Sequence, residues 1–387
     1  MPWKETCAVN ERMKFVVRLE DGERMADLCR EFGISRKTGY KLKKRFEELG
    51  RYGLVDQSRR PHGHPGRTPE AIRELLIEER RRRPTWGPRK LIAYLKRHHP
   101  DVRFPALSTS YKILKDAGLV EPRRRVRRVV PHTEPLRHAK LANDVWCADF
   151  KGQFKLGNGR YCYPLTITDA RTRFLLGCEG LDSTKHAGAR AVFEHVFRRY
   201  GLPKAIRTDN GTPFSSRAIC GLSRLAVWWR RLGIAHERIE PGHPEQNGRH
   251  ERMHRTLKAE ATRPAGANLL QQQERLDAFV ETYNFERPHE ALEDRPPADF
   301  YRASPRAYRM PGDPEYPFHD VAVRVLLNGQ VEVPAGRPGH RIRVYLSEVL
   351  AGELVGLREV EHNRWLVTFI DDDLGTLDLD ARRLVTS

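Results

Sequence analysis

Three strand-like runs follow one another at residues 146–150, 161–168 and 173–179, and from residue 185 the pattern turns to alternation of helix and strand. Few layered architectures accept that order. Gly157-Asn158-Gly159 separates the first two runs, and Asp169-Ala170-Arg171 separates the second from the third. The periodicity then predicts a helix over 185–200, a strand over 204–208, a helix over 215–232 and a strand over 235–239, with closing helices over 245–262 and 269–283. Residues 143–301 are therefore expected to form one mixed α/β domain.

Three carboxylates stand at element edges in this segment. Val145-Trp146-Cys147-Ala148-Asp149-Phe150 and Ala205-Ile206-Arg207-Thr208-Asp209-Asn210-Gly211 each place an aspartate at the end of a short strand. Downstream, Pro241-Gly242 makes a turn, Pro244 stands where a helix can begin, and Glu251 follows about two turns into a polar helical run. Such a trio can converge on one site. Asn210 and Gly211 are expected to shape the loop after Asp209, and Asp169 to form a turn. His250 and His254, one helical turn apart, are read as a phosphate-facing or solvated pair ahead of zinc ligands. Trp228-Trp229 is read as core or subunit contact.

The flanking segments differ in character. Residues 1–50 read as a helix-turn-helix, with Gly33-Ile34-Ser35 as the turn, Ser35 as N-cap, and Arg36, Lys37, Thr38, Tyr40 and Lys41 at the groove-facing start of a basic helix. Residues 51–67 are a basic Gly/Pro linker that cannot bury a core. A second helix-turn-helix is expected over 68–120, with Ser108, Thr109, Tyr111 and Lys112 on its recognition helix. Arg123, Arg124, Arg125, Arg127 and Arg128 make 121–142 a basic arm or solvated linker. Beyond a Pro-rich linker over 302–320, six short strand patterns over 321–387 and the hairpin signal Asn328-Gly329 suggest a small β-barrel. Its Arg337, Arg341, Arg343, Arg382 and Arg383 either touch DNA or balance Asp371-Asp372-Asp373.

Charge identifies the partner class. Of the net +19, residues 1–140 hold 35 Lys and Arg against 18 Asp and Glu, whereas 141–387 hold 35 against 33. A polyanion such as double-stranded DNA is the natural partner of so basic a first third, because neutralised phosphates release counterions. No apolar run reaches the ~18–20 residues that span a bilayer, and the start lacks a signal peptide's apolar region, so a cytoplasmic protein is expected, without membrane partners. Six scattered cysteines without a Cys-x-x-Cys pair suit reduced thiols rather than a disulfide framework or a zinc knuckle.

Trp146-x-x-Asp149, Thr208-Asp209-Asn210-Gly211 and His243-Pro244-x-x-Asn247-Gly248-x-x-Glu251 resemble the three blocks of the retroviral-integrase superfamily, and among its members the insertion sequence 481 family of bacterial transposases. Tyr283-Asn284-x-x-Arg287-Pro288-His289-x-x-Leu292 with Pro296-Pro297 fits the same group. The resemblance implies a ribonuclease-H-like core with Asp149, Asp209 and Glu251 as catalytic metal ligands. It implies two Mg²⁺ ions, for which Mn²⁺ can substitute, since phosphodiester transfer needs an activated oxygen and neutralised charge more than a protein nucleophile. It further implies cleavage at terminal inverted repeats, transfer of the 3′-hydroxyl into target DNA, and a dimer or larger assembly acting on bacterial, nucleoid-associated DNA. Asn247, Arg249, Arg252, Arg255 and Lys258 would then meet the DNA, and the C-terminal domain would be comparable to the barrels of integrases. The interval of about 35 residues familiar from integrases falls on Glu245; the block alignment selects Glu251, because loop lengths vary while local geometry does not. A DNA-binding regulator that kept the fold, and a plain nuclease, are the rival functions; three intact carboxylates weigh against the first and two helix-turn-helix units against the second.

Overall fold

The computed structural model describes residues 7–56, 66–121, 136, 138–216, 218–240, 246, 248–335 and 339–385. The chain divides into two compact units, Met1–Thr68 and Pro69–Ser387.

In the first unit, helices α1 (Ala8–Glu20), α2 (Met25–Glu31) and α3 (Arg36–Leu49) enclose Phe15, Val16, Leu28, Cys29 and Leu42. Ser35 caps α3, its hydroxyl accepting the Thr38 amide at 3.1 Å. Gly39 lies inside α3 because a Cβ there would come within 2.7 Å of Cys29 Sγ and Met25 Sδ. The missing side chain lets α2 and α3 approach, which outweighs glycine's helix cost.

The second unit begins with α4 (Glu70–Arg82), α5 (Pro88–His98) and α6 (Leu107–Asp116), packed around Leu76, Ile92, Leu95, Phe104 and Ile113. This helical group is fastened to the segment that follows the last core helix. Arg83 bonds Glu286 at 2.6 Å, Arg89 reaches Asp294 at 2.9 Å, and Arg97 meets Asp299 at 2.6 Å.

The central sheet contains β1 (Val145–Phe150), β2 (Phe154–Lys155), β3 (Tyr161–Asp169), β4 (Leu175–Leu181), β5 (Ala205–Thr208) and β6 (Ala235–Arg238). Strands β4, β3 and β1 are antiparallel neighbours, and β1, β5 and β6 run parallel. Helix α7 (His186–Tyr200) buries Val192, Phe193, Val196 and Phe197 against the sheet, together with Trp146, Ile167 and Ile206. On the other side α9 (Gly248–Glu260) and α10 (Leu269–Glu281) pack Met253, Leu257 and Leu276 against Leu175 and Cys178.

The helix expected over 215–232 is shorter. Cys220 and Gly221 adopt positive φ, and Ser223 starts α8 (Arg224–Arg231) by accepting the Ala226 amide. Both faces of α8 are buried. Leu225, Trp228 and Trp229 join the central core, while Ala226 and Val227 join the core of the C-terminal domain.

That domain is all β, but the barrel expected from the sequence does not close. Strands β7 (Val321–Arg324), β10 (Leu354–Glu361), β11 (Arg364–Phe369), β12 (Asp372–Asp378) and β13 (Arg383–Val385) form one sheet, and β8 (Gln330–Pro334) pairs only β9 (Arg341–Tyr345). Asn328-Gly329 does turn the chain, yet β7 and β8 part into different sheets. The Gly329 carbonyl instead takes the amides of Leu346 and Ser347, and a Cβ on Gly329 would lie 2.7 Å from the Glu348 backbone. Arg343 pairs with Glu332, and Asp372 pairs with Arg230 of α8 rather than with Arg382 or Arg383.

Candidate active site

The first carboxylate is placed by the strand that carries it. Trp146 is fully buried and gives its indole N–H to Asn143 Oδ1 at 3.0 Å, an oxygen that also accepts the Tyr301 hydroxyl. With that end pinned, Asp149 emerges at the far end of β1, paired in register with Thr166 of β3. Parallel pairing of β1 with β5 runs from Val145 opposite Ala205 to Ala148 opposite Thr208. Asp149 and Asp209 each stand one residue beyond the last pair of that register, on neighbouring strands.

Asp209 sits in a tight loop. Its Oδ1 accepts the Gly211 amide at 3.1 Å, and Asn210 Nδ2 bonds the Ile239 carbonyl at 2.8 Å. A Cβ on Gly211 would stand 3.0 Å from Asp209 Oδ2, so a side chain there would crowd the carboxylate.

Helix α9 supplies the third face. His250, Met253, His254 and Leu257 point inward, while Glu251, Arg252, Arg255 and Lys258 are exposed. The histidines are not solvated, one of the readings the sequence allowed; they are buried against β3. The Thr166 hydroxyl donates to the Asp149 main-chain carbonyl at 3.1 Å and lies 2.7 Å from Nε2 of both rings. Having only one proton, it accepts from both, so each imidazole carries its proton on Nε2. His250 Nδ1 accepts from the Thr168 hydroxyl at 3.0 Å, which completes that ring's partners. His254 Nδ1 instead presents a lone pair 3.8 Å from Asp149 Oδ2. Burial, then the Lys151 ammonium, pushes His254 down to about 3; burial, then His254, holds His250 well below its ordinary value. Asp149, His250 and His254 bring one ligand atom each within 4.8 Å of one another.

No motif marked Thr166, Thr168 or Lys151; only the alternation Thr166-Ile167-Thr168 on β3 hinted at a polar face. Burial, and after it the charge of Lys258, lowers the Lys151 ammonium, while Asp149 raises it, so Lys151 lies near that aspartate and Lys258 near Lys151. Asp169 is the turn residue the sequence suggested: its buried carboxylate accepts the amides of Asn143 and Thr172 and the Thr172 hydroxyl, each at 2.7 Å.

Other candidates fall apart from this cluster. Arg36, Lys37, Thr38, Tyr40 and Lys41 are exposed at the start of α3, and Ser108, Thr109, Tyr111 and Lys112 are exposed on α6. Arg123, Arg124, Arg125, Arg127, Arg128, Glu245 and Asn247 lie outside the described residues, as does Arg337.

Two integrase core domain models match residues 139–244 and 232–297, a helix-turn-helix model matches 11–62, and a homeodomain-like model matches 38–114. A protein of insertion element IS476 from Xanthomonas euvesicatoria is 30% identical over 257 residues, covering 63% of this chain and 69% of the relative. The chain belongs to the insertion-sequence transposases of the retroviral-integrase superfamily. A protein of insertion element IS407 from Burkholderia multivorans is 29% identical over 243 residues, 61% of this chain and 82% of its own length. The HTLV-2 integrase catalytic core domain in complex with magnesium aligns with a TM-score of 0.34 and 15% identity, over 42% of this chain and 99% of that one, a likeness too low to add weight. The transposase is thus an enzyme of the polynucleotidyl transferase type that binds DNA through helix-turn-helix and integrase domains. Among the described residues, no helix of the transposase is long and apolar enough to cross a membrane.

Proposed function

We propose that this transposase binds terminal inverted repeats and catalyses Mg²⁺-dependent strand cleavage and transfer with Asp149, Asp209 and Glu251, in the manner of the insertion sequence 481 family. The observation that carries the reading is the parallel register of β1 and β5, which brings Asp149 and Asp209 to neighbouring strand ends. Exposure of Glu251 on the first turn of α9, one turn before His254, supports its part as the third ligand.

The donor set fits a divalent cation. His254 Nδ1 and Asp149 Oδ2 stand 3.8 Å apart, a spacing at which one cation could take both. Asp149, Asp209 and Glu251 would hold Mg²⁺ or Mn²⁺, which when bound lowers the pKa of an attacking oxygen and offsets charge on the phosphate in flight. Thr166 fixes the rings of His250 and His254 and so the inner face of α9. Gly211 keeps space open at Asp209. Lys151 places positive charge near Asp149, where a scissile phosphate would need neutralising.

The domains divide the work. The units at 1–50 and 68–120 read the repeats, by Arg36, Lys37, Thr38, Tyr40 and Lys41 and by Ser108, Thr109, Tyr111 and Lys112. Arg123 to Arg128, Asn247, Arg249, Arg252, Arg255 and Lys258 contact backbone phosphates, and the C-terminal domain over 321–387 completes the grip. Acting on two ends calls for at least a dimer, working on nucleoid DNA.

The test is a joining assay with the repeat that flanks this gene, supercoiled plasmid and Mg²⁺. Product lost with Glu251→Gln and kept with Glu245→Gln supports the assignment. The reverse moves the third ligand to Glu245, and specific binding without any product from the wild type speaks for a regulator.

A further inference from the structure

The block Tyr283-Asn284-x-x-Arg287-Pro288-His289 has no part in the chemistry above. Its Arg287 and His289 line a cavity of about 90 Å³, room for several water-sized groups at the ~10–15 Å³ that one requires. Lys90 of α5, Arg173 from the turn before β4, and Arg249 and Arg252 of α9 complete its charged wall.

These cations are poorly compensated. Arg287 is paired with Glu260. Arg249 gives one bond to the Ala170 carbonyl at 3.2 Å, and among the described residues Lys90, Arg173, Arg249 and Arg252 make no ion pair, although Glu260 lies near enough to raise Lys90. Asp169 also lines the cavity, but its oxygens are already taken by Asn143 and Thr172. Crowding shows in the ionisation of the group. Burial and then Arg287 push the Lys90 ammonium down to about 8, and burial lowers Arg173, helped by Arg249 and Arg252.

His289 gives the second, independent sign. It is 9% exposed, and its buried Nε2 has no hydrogen-bond partner. Burial, then Lys90, Arg173 and Arg287, pushes it down to about 3, so the ring is neutral and in the Nε2–H form is a donor without an acceptor. Half-buried Lys90 and Arg173 without an ion-pair partner, together with an orphaned ring nitrogen on the same cavity wall, are costly unless an anion fills it.

We propose that this cavity binds a phosphate monoester or free phosphate, held by Arg173, Arg249, Arg252 and Lys90 with His289 donating from Nε2. A tetrahedral dianion matches several guanidinium forks and an ammonium better than a planar carboxylate does. The source is either inorganic phosphate or the 5′-terminal phosphate of a DNA strand, which offer the same oxygens. The site does not depend on the carboxylate chemistry.

The full chain is titrated with inorganic phosphate at constant ionic strength, chloride replacing it in the control, and read by thermal unfolding and by ³¹P line width. Saturable stabilisation and line broadening are expected. His289→Gln and Arg173→Met should each weaken binding about tenfold or more, and Lys90→Arg should retain it. A rise no larger than in chloride, or one equal in wild type and both variants, overturns the site. Should a variant fail to fold, absence of ³¹P broadening with wild type is sufficient to reject it. Duplexes bearing a 5′-phosphate or a 5′-hydroxyl then compete. Displacement by the phosphorylated end alone assigns the site to a strand terminus, and displacement by neither assigns it to free phosphate. Equal displacement by both overturns it in favour of general backbone attraction.

Discussion

His254 Nδ1 stands 3.8 Å from Asp149 Oδ2 while the same ring gives its other nitrogen's proton to Thr166 Oγ1 at 2.7 Å. A lone pair is thereby aimed at a carboxylate oxygen, at a spacing where one cation could take both. A nitrogen donor favours Mn²⁺ over Mg²⁺, which prefers oxygen. His254→Asn is expected to weaken Mn²⁺ affinity about tenfold and Mg²⁺ affinity less, as read by Mn²⁺ paramagnetic resonance with Mg²⁺ competition. Equal loss for both ions would mean that the ring only packs.

Thr166 holds two imidazole N–H groups with one oxygen. Thr166→Val keeps the shape and orphans both donors, each at about 1–3 kcal/mol. Denaturant unfolding should show a loss of about 3 kcal/mol; a change under 1 kcal/mol would mean that water replaces the hydroxyl.

Asp209 Oδ1 accepts the Gly211 amide within its own loop, so a change there should disturb the fold little. Asp209→Asn should cut strand transfer by about 10³-fold or more and leave affinity for repeat DNA within about twofold. Parallel loss of binding would make the residue structural.

His236 is half-buried, its Nε2 is 2.9 Å from the Thr208 hydroxyl, and that burial, followed by Arg238 and Arg230, pushes it down to about 4 from an ordinary 6.5. The folded state keeps the ring neutral while the unfolded chain protonates below 6.5. Its contribution is whole above that pH and is lost at about 1.4 kcal/mol per unit as pH falls from about 6.5 to about 4. His236→Gln should flatten the acid limb of a stability profile across that window, and an unchanged slope would refute the assignment.

Arg83 joins the second helical unit to the core. It bonds Glu286 and buried Glu79 and lies 4.1 Å over the Tyr94 ring and 5.0 Å over Trp86. Arg83→Met leaves Glu79 with Arg82 alone, at a cost of about 3 kcal/mol. Hydrogen exchange should rise across α4 and α5; exposed pairs such as Arg89 with Glu290 should matter far less when cut.

Much of the site was legible locally. Asp149 and Asp209 end strands because Val145 to Ala148 and, Arg207 apart, Ala205 to Thr208 are apolar or β-branched residues that are buried, and a carboxylate can only follow where the strand reaches the sheet's edge. Ser35, Gly33 and Asn328-Gly329 likewise act through bonds a few residues long. The barrel failed for the opposite reason: alternation along β7 and β8 says which residues face inward, not which strand lies alongside.

The amino-acid sequence by itself determined the order of elements, the basic first third, the two strand-end aspartates and the family. Tertiary structure alone decided that His250 and His254 turn inward onto Thr166, that the helices over 70–116 clamp the segment after α10, and that cations without an ion-pair partner from three separate stretches meet His289 around one cavity. Charge and period are properties of neighbours in the chain. Burial, proton position and the want of a counterion depend on groups 80 or more residues apart, such as Thr166 and His250, and exist only once packing brings them together.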